Sequence, residues 1–361
     1  MGRACLARTG YLCSAVIVLS LSSSSLAVVL HNDADAPADR PPDAVVGRWR
    51  SNGSAVVIGR SDWLVTNYVL TAQHLAGSGS VWIGGQEYLI AATFNHPTAD
   101  IRIARIQTLS GGNLYFSEFV PWYTSTNEVT KDVVIGGFGK VRGAELLTSK
   151  GELYGYAWAG TNNLYQRWGS NEVDTTGSAS DGFVSEVLKA DFDAPASHNA
   201  TLADYDSGGG WFIKGLDGKW YVAGVSRSAE HFGESWFKNN VTGKDDPDII
   251  DAVRVSSYAS WISSKLPPWA VPGDANRDYM VDGQDFTILK YYFGGPGGWD
   301  QGDFTGDGLI DGQDFTVLKA YFGDHPVPLA AAASMVMVPE PATMVLLGIG
   351  AASLLARRRR T

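Results

Sequence analysis

Cysteine is nearly absent from this chain of 361 residues, and positive charge is scarce. The two cysteines, Cys5 and Cys13, both lie in the first fifteen residues, so a fold built from later residues cannot depend on disulfides. Only 28 lysines and arginines stand against 38 acidic residues, for a net charge of −10. Proteins bind nucleic-acid phosphates through clustered Lys and Arg, so we expect no nucleic-acid partner. A content of 45% hydrophobic and 18% charged residues also excludes a disordered chain and a collagen.

The first 27 residues have the pattern of a secretory signal peptide. A start containing two arginines is followed by mostly apolar residues over 11–21 and by a small-residue cleavage site, Ser-Leu-Ala, at 25–27. Cleavage there would leave a mature chain without cysteine, which suits export into a bacterial envelope. An N-terminal anchor that stays attached is the alternative, although about 20 apolar residues are needed to span a bilayer. Residues 28–43 are then a linker or a pro-segment.

Residues 338–361 form a second targeting segment. Val-Pro-Glu-Pro at 338–341 precedes an apolar stretch over 343–356, which is short for a membrane span, and four arginines that act as a cytoplasmic stop. This order resembles the PEP-CTERM sorting signal of Gram-negative bacteria, which implies an exosortase-type membrane protease as a processing partner. An ordinary tail anchor is the alternative. The two segments predict an exported protein of the bacterial cell envelope or surface, or an extracellular one, with residues 325–337 as a linker.

Between the targeting segments, residues 28–337 hold 22 basic and 37 acidic residues, a net charge of −15, and ten of the acids lie between Asp274 and Asp324, where the sequence repeats itself. The 22 residues from Gly273 recur from Gly302 at an offset of 29, with 14 identities. Each copy places oxygen-bearing side chains at loop positions 1, 3, 5, 9 and 12, the spacing of a 12-residue calcium loop in which position 7 contributes a backbone carbonyl. The predicted ligands are Asp274, Asn276, Asp278, Met280, Asp282 and Asp285 in the first loop and Asp303, Thr305, Asp307, Leu309, Asp311 and Asp314 in the second. Because these carboxylates would otherwise repel one another, we predict two Ca²⁺ sites.

The repeat departs from an ordinary EF-hand in two ways. Position 12 is Asp rather than Glu, and position 6, where the backbone is left-handed, is Gly308 in the second loop but Tyr279 in the first, which we expect to be the weaker site. A duplicated loop and helix with Asp at position 12 resembles a type I dockerin module over residues 273–324. The resemblance implies a cohesin-bearing protein as partner. Its contacts would be the identical pairs Gly283-Gln284 and Gly312-Gln313, which permit two binding orientations. A calcium-stabilised spacer without such a partner is the alternative.

Residues 44–267 are rich in short β-branched and aromatic runs interrupted by Gly, Asn and Ser, such as 55–59, 101–106 and 220–225. Regular short strands with turn signals predict an antiparallel sandwich or barrel, and a region of this length without a helical repeat fits two packed β-barrels. Only the end of the region, 248–265, has a helical pattern. The expected fold class is mainly β, followed by a small α-helical module over the repeat.

Three short stretches of this region carry chemistry when they are taken together. His74 ends an apolar strand, Asp100 precedes an alternating apolar strand, and Ser207 lies between an acid and three glycines. A hydroxyl nucleophile needs a base that takes its proton, and the base needs a buried acid that fixes its tautomer. The order His, Asp, Ser along the chain is that of the chymotrypsin arrangement.

These stretches resemble a trypsin-like serine endopeptidase. Thr-Ala-Gln-His at 71–74, Asp-Ile at 100–101, Gly-Gly-Phe-Gly at 136–139 and Asp-Ser-Gly-Gly at 206–209 follow the order of the family's motifs. The resemblance implies a double β-barrel of the chymotrypsin type over 44–267, hydrolysis of peptide bonds in a peptide or protein substrate, and no cofactor for catalysis. A catalytically inactive barrel that serves as a surface binding or scaffold module is the alternative.

Four further residues, and a second role for Ser207, follow from the resemblance. The oxyanion hole is expected from the backbone N–H groups of Tyr205 and Ser207, although the family has Gly at the first of these positions. The substrate pocket is expected around Thr201, Ser226 and Arg227. Thr201 stands where trypsin has Asp, so cleavage after Lys or Arg is not implied. The charge of Arg227 favours acidic substrates.

Activation of the expected enzyme depends on Asp206. In the animal enzymes a freed N-terminus pairs with the Asp before the serine, and a buried carboxylate without a partner would be costly. Ala-Val-Val-Gly at 44–47 is only a faint match to that terminus. Either processing frees a terminus near Val45, or another cation or hydrogen-bond donor satisfies Asp206.

Overall fold

The computed structural model describes residues 28–31, 37–61, 63, 65–111, 114–160, 165–193, 200–266, 271–305 and 307–324. The predicted signal peptide, the 325–337 linker and the sorting segment lie outside the described residues. Within the described ranges, no helix combines the length and the apolar content that crossing a bilayer requires.

The described residues form strands and a few short helices. The strands in chain order are β1 (Val29–Leu30), β2 (Val46–Trp49), β3 (Gly53–Ile58), β4 (Tyr68–Thr71), β5 (Ser80–Ile83), β6 (Gln86–Asn95), β7 (Arg102–Gln107), β8 (Asp132–Gly137), β9 (Val141–Leu147), β10 (Leu153–Ala159), β11 (Arg167–Glu172), β12 (Thr175–Ser180), β13 (Val184–Asp191), β14 (Ala200–Thr201), β15 (Gly210–Lys214), β16 (Trp220–Ala229), β17 (Glu234–Trp236) and β18 (Ile249–Arg254). The helices are α1 (Ala259–Lys265), α2 (Gly283–Tyr292) and α3 (Gly312–Tyr321), with 3₁₀ turns at Asp43–Val45, Val255–Tyr258 and Trp299–Gln301.

Strands β2 to β7 close into an antiparallel barrel in the order β2-β3-β4-β7-β6-β5. Side chains from neighbouring strands fill it: Val56 pairs with Leu70, Leu70 pairs with Ile103, and all three are fully buried. Aliphatic and β-branched residues suit this packing on a pleated surface. Closure of the barrel leaves no open sheet edge.

The second half of the β domain is a seven-stranded antiparallel sheet in the order β11-β8-β15-β16-β18-β13-β12. Trp211 of β15, Ile135 of β8 and Leu188 of β13 share its core, and β11 also contacts β13, so the sheet curls around these side chains. Phe212 and Val225 belong instead to the core of the first barrel, which joins the two halves. The expected mainly β fold of the chymotrypsin type is confirmed.

The helix expected over 248–265 is wrong for its first part. Residues Ile249–Arg254 form β18, which pairs with β13 on one side and with β16 on the other. Ile250, Ala252 and Val253 are fully buried there, so burial between two strands outweighs the local helical pattern. Helical structure begins only with the 3₁₀ turn that leads into α1.

The repeat folds as two units of loop and helix. The side chain of Asp282 accepts a hydrogen bond from the N–H of Gln284 at 2.7 Å, and Asp285 accepts one from the N–H of Asp282 at 2.9 Å. This capping box fixes where α2 begins, and the same residue types cap α3. Leu289 and Leu318, one from each helix, are 1% exposed and share a small core. The expected small helical module is confirmed.

The helical module contacts the first barrel. Arg105 of β7 donates a hydrogen bond from Nη1 to the hydroxyl of Tyr321, at the end of α3, over 2.8 Å. Tyr321 is 9% exposed, whereas Tyr292, its counterpart in the first copy, is 39% exposed. The two copies of the repeat are therefore not equivalent with respect to the β domain. The domain boundaries at 44–267 and 273–324 remain predictions.

Candidate active site

The ends of two neighbouring strands bring His74 and Asp100 together. β4 and β7 are antiparallel, with Thr71 opposite Arg102, so the turn after β4 lies beside the residues that precede β7. His74 Nδ1 lies 2.6 Å from Asp100 Oδ2, and the backbone N–H of His74 donates to Asp100 Oδ1 at 2.7 Å. Because an ionised carboxylate only accepts hydrogen bonds, Nδ1 carries the ring proton and Nε2 is the basic nitrogen.

The surroundings of Asp100 hold it in one orientation. Asp100 is 2% exposed, and its own N–H donates to Ser185 Oγ at 2.9 Å. Nearby, Arg102 donates to Asn95 Oδ1 at 2.6 Å and to the carbonyl oxygen of Gln73 at 2.8 Å, which fastens the turn after β4. Sequence reasoning missed Ser185 and Arg102, because no local motif marks their contacts.

Ser207 lies in a turn that both halves of the β domain hold. Its carbonyl oxygen accepts a hydrogen bond from the N–H of Ser54, in β3 of the barrel, at 2.8 Å. The N–H of Gly208 donates to the carbonyl oxygen of Ser226, in β16, also at 2.8 Å. Gly208 has φ +85°, and a Cβ at this position would lie 2.2 Å from the carbonyl oxygen of Ser54. Only glycine fits there, so Ser207 stands at the junction of the two halves.

His74 and Ser207 line one cavity of about 350 Å³. One wall is formed by residues 202–205, before the serine, and by residues 227–229 of β16. Another wall consists of ring-bearing side chains that no sequence motif indicated, namely Trp158, His231 and Phe232. Of the three residues in the sequence pattern, two are hydrogen-bonded to each other and the third faces the same cavity as the histidine.

Tyr205 takes a backbone conformation that usually requires glycine. Its φ is +77°, in the left-handed region that costs other residues roughly 1–2 kcal/mol. Ser54 Oγ donates to the carbonyl oxygen of Tyr205 at 2.9 Å and accepts from the N–H of Phe138 at 3.0 Å, which fixes this peptide. Among the described residues, no acceptor receives a hydrogen bond from the N–H of Tyr205 or of Ser207. Both amides are therefore available to a further acceptor.

Backbone N–H groups satisfy Asp206. The side chain is buried, Oδ1 accepts from the N–H of Gly139 at 2.7 Å, and Oδ2 accepts from the N–H of Ala203 at 3.0 Å. Burial raises the pKa of Asp206 to about 7, against the opposing effects of these hydrogen bonds and of the Arg167 charge. A Cβ on Gly137 or Gly139 would lie 2.2 or 2.1 Å from the carboxylate, which explains the glycines of this stretch. Two partners were considered for Asp206, a freed N-terminus near Val45 and another cation or hydrogen-bond donor. The structure shows hydrogen-bond donors, the N–H groups of Gly139 and Ala203.

The predicted pocket residues occupy different positions. Thr201 and Ser226 are fully buried in strands and are absent from the described lining of the cavity. Arg227 does line it, but its guanidinium pairs with Asp181 at 2.5 Å and with Asp251 at 2.7 Å. Its charge is therefore balanced within the protein, which argues against the expected attraction of acidic substrates.

The first loop of the repeat encloses two buried carboxylates. Asp274 accepts hydrogen bonds from the N–H groups of Arg277 at 2.7 Å and Tyr279 at 2.8 Å, and Asp285 accepts from the N–H of Ala275 at 2.8 Å. Burial, together with the charge of Asp285, raises the pKa of Asp274 to about 6. Two like charges buried in one loop are stabilised by a cation, so these oxygen donors fit calcium.

The second loop repeats this arrangement. Asp303 Oδ2 accepts from the N–H of Gly308, and Asp314 Oδ1 accepts from the N–H of Phe304, each at 2.9 Å. Gly308 has φ +87° and Tyr279 has φ +64°, which confirms the left-handed backbone expected at position 6. In the part of the chain that the structure describes, no three Asp, Glu, His or Cys side chains converge as a completed metal site. The loop carboxylates are instead turned toward backbone N–H groups.

Two protein families match parts of the chain. The type I dockerin domain matches residues 272–323, and the PEP-CTERM protein-sorting motif matches residues 338–360. The dockerin and PEP-CTERM resemblances found in the sequence are confirmed. No curated protein matches the chain.

Solved structures similar to the chain include two proteases. The inactive form of the Rv3671c protease is 16% identical, with a TM-score of 0.36, over 62% of this chain and 89% of that chain. Neuropsin, a serine protease expressed in the limbic system of mouse brain, is 18% identical, with a TM-score of 0.39, over 62% of this chain and 94% of that chain. The fold follows from the strand order of the two halves of the β domain. The chain thus joins a mainly β domain of the chymotrypsin type to a type I dockerin domain and a C-terminal PEP-CTERM sorting motif.

Proposed function

We propose that residues 44–267 form an exported serine endopeptidase in which Ser207 is the nucleophile, His74 the base and Asp100 the residue that orients the base. The observation that carries the proposal is the 2.6 Å contact between His74 Nδ1 and buried Asp100, beside a cavity that His74 shares with Ser207. A serine hydroxyl is activated by a base of this kind, and the base is held in the right tautomer by a buried acid.

In the proposed reaction, Ser207 Oγ attacks the carbonyl carbon of a peptide bond while His74 Nε2 takes the hydroxyl proton. The tetrahedral intermediate collapses, the C–N bond breaks, and the imidazolium gives its proton to the leaving amine. Water then attacks the acyl-enzyme ester while His74 takes a proton from it. Ser207 recovers this proton as the carboxylic acid product leaves. Asp100 accepts the hydrogen bond from Nδ1–H of His74 throughout the reaction and stabilises the imidazolium.

The amides of Tyr205 and Ser207 are the proposed donors to the negative oxygen of the intermediate. Fixed donors stabilise charge that develops only in the transition state, which lowers the barrier rather than tightening substrate binding. Ser54 supports this role as a positioning residue, because its hydrogen bond to the Tyr205 carbonyl holds the backbone that carries one of the amides.

The helical module is the proposed tether of the enzyme. Two calcium ions would be held by the twelve loop residues predicted from the repeat, and bound calcium would neutralise the carboxylates and order each loop. Gly283-Gln284 and Gly312-Gln313 begin α2 and α3 and are exposed, so a cohesin-bearing protein can reach them. An exosortase-type protease would process the C-terminal motif during delivery to the bacterial cell surface.

A fluorophosphonate probe tests the proposed activity. We expect the folded, processed protein to be labelled at mildly alkaline pH on the peptide that contains Ser207, because such a probe reacts with a serine that a neighbouring base activates. Mass spectrometry of the digested product identifies the modified residue, and heat-unfolded protein is the unlabelled control. A folded sample that stays unlabelled would favour the alternative function, an inactive β-barrel that serves as a scaffold.

Substitution of Tyr205 separates the effect of its amide from that of its side chain. Tyr205→Gly is expected to keep kcat within about threefold, because glycine adopts a positive φ freely and retains the N–H. Tyr205→Pro removes the N–H and also moves φ from +77° to near −65°, so its expected loss of about 10²–10³ in kcat combines the missing donor with a displaced backbone. Hydrolysis of a chromogenic peptide measures both, and thermal unfolding verifies that each variant is folded. Equal activity in two folded variants would rule out this amide as an oxyanion donor.

A further inference from the structure

A second pair of histidine and acid lies at the same cavity. His231 Nδ1 is 2.6 Å from Asp248 Oδ1, and Asp248 Oδ2 accepts a hydrogen bond from the N–H of Trp236 at 2.7 Å. Asp248 is 2% exposed. The His231 ring stacks on the Trp236 indole, with ring centroids 3.8 Å apart and planes inclined by 21°. The ring is thus fixed in position, and its carboxylate partner places the proton on Nδ1, so Nε2 is an acceptor.

The proposed peptide hydrolysis leaves this pair without a role. His231 nevertheless lines the cavity that contains His74 and Ser207. Since Nδ1 is directed to the buried acid, Nε2 is the ring nitrogen left for the cavity. Within the described ranges, no protein donor is bonded to it. An imidazole that a buried acid holds in one orientation is suited to accept a hydrogen bond from a ligand.

Aromatic surface adjoins His231 in the cavity wall. Trp158 and Phe232 meet edge to face, with centroids 5.8 Å apart. Phe232 is 84% exposed, although it borders the proposed site of reaction. With Trp158 and His231 it forms an aromatic surface along one side of the cleft. Together these rings offer a flat side chain a surface on which to pack.

The charged side chains of the lining already have partners. Arg227 is balanced by two carboxylates, and Asp204 pairs with Lys140 at 2.6 Å. Neither an acidic nor a basic substrate side chain therefore meets an uncompensated charge from these residues. The cavity combines aromatic walls with a second fixed imidazole acceptor, His231 Nε2, besides the basic nitrogen of His74.

We infer that His231 is a specificity-determining residue that selects tyrosine on the acyl side of the scissile bond, an inference that rests on the proposed peptidase activity. The phenol ring packs against Trp158 and Phe232, and its hydroxyl donates to His231 Nε2. Phenylalanine fills the same surface but leaves Nε2 without a donor. A site built to bind a hydroxyl discriminates against the analogue that lacks it, because its polar group then stays unpaired.

Two peptides that differ only in Tyr or Phe before the scissile bond provide the test. We expect the wild-type protein to prefer Tyr about three- to tenfold in kcat/KM, the value of one neutral hydrogen bond. His231→Phe retains a ring for stacking on Trp236 but removes the acceptor, and should bring the ratio of the two kcat/KM values close to one. The matched control is His96→Phe, because His96 also packs against two aromatic rings but is absent from the described cavity lining. It should keep the wild-type ratio.

A wild-type ratio near one, or a preference for Tyr that persists in His231→Phe, overturns the inference and leaves the peptidase proposal standing. If His231→Phe fails to fold because Asp248 has lost its partner, a wild-type ratio near one still overturns the inference, and His231→Phe combined with Asp248→Asn, which leaves no buried charge unpaired, repeats the test of the acceptor. If neither peptide is cleaved and the fluorophosphonate does not label Ser207, the proposed function fails and this inference fails with it.

Discussion

Ser207→Ala is expected to abolish peptide hydrolysis, with kcat falling by about 10⁶, because alanine offers no nucleophile. Asp100→Asn is expected to lower kcat by about 10⁴ while leaving the fold intact. The amide nitrogen of asparagine would donate to His74 Nδ1, where the carboxylate now accepts over 2.6 Å, and would favour the wrong ring tautomer. Because the three residues act as one unit, the losses should not add, and the double variant should resemble Ser207→Ala alone.

Steady-state hydrolysis of a chromogenic peptide measures these losses, and thermal unfolding verifies that each variant is folded. Asp217→Asn is the control, because Asp217 is an exposed acid in the turn between β15 and β16, and this variant should keep full activity. A folded Asp100→Asn variant with unchanged kcat would show that the buried acid does not orient His74 in the reaction.

Removal of calcium is expected to destabilise the helical module. An ion bound only by the folded state adds about 2.7 kcal/mol to the free energy of unfolding when its concentration is a hundred times Kd. EDTA should therefore lower the unfolding midpoint of the module and its helical circular dichroism signal. The second loop should bind more tightly, because Gly308 takes φ +87° freely whereas Tyr279 is held at +64°. Asp303→Ala should consequently reduce the calcium effect more than Asp274→Ala.

Calorimetric titration of the full chain with calcium measures the affinities of the two sites. Asp300→Ala is the control, because this exposed acid lies between the loops and makes a surface ion pair with Arg277, an interaction of small energetic value. Tyr279→Gly should tighten the first site by relieving its backbone. If EDTA changes neither the midpoint nor the helical signal, the calcium assignment is wrong.

The proposed catalytic and calcium-binding residues could be predicted because their signals are local. His74, Asp100 and Ser207 each lie within a motif of a few residues, and their order along the chain distinguishes one serine-protease arrangement from the others. Each calcium loop contains all of its predicted ligands within twelve residues, and the duplication makes the spacing visible twice. Their local settings, a strand end, a turn and a helix start, follow from the same short stretches.

The remaining features depend on pairs that are distant in the chain. Arg227 carries a charge in the sequence, but Asp181 and Asp251 balance it only after β16 and β18 have paired. His231 meets Asp248 in the same way, across an intervening strand. The helical pattern at the start of 248–265 was overridden for a similar reason, since two neighbouring strands bury that segment on both sides. Such pairings exist only in the tertiary structure.

The hydrogen bonds of Asp206 bear on how the proposed enzyme would be activated. Its two amide donors, Gly139 and Ala203, lie within the folded chain. Folding alone therefore supplies the hydrogen bonds that hold the residue before the nucleophile. The contacts of Asp206 do not require a freed N-terminus near Val45, and we expect them to be the same in the unprocessed and the processed chain.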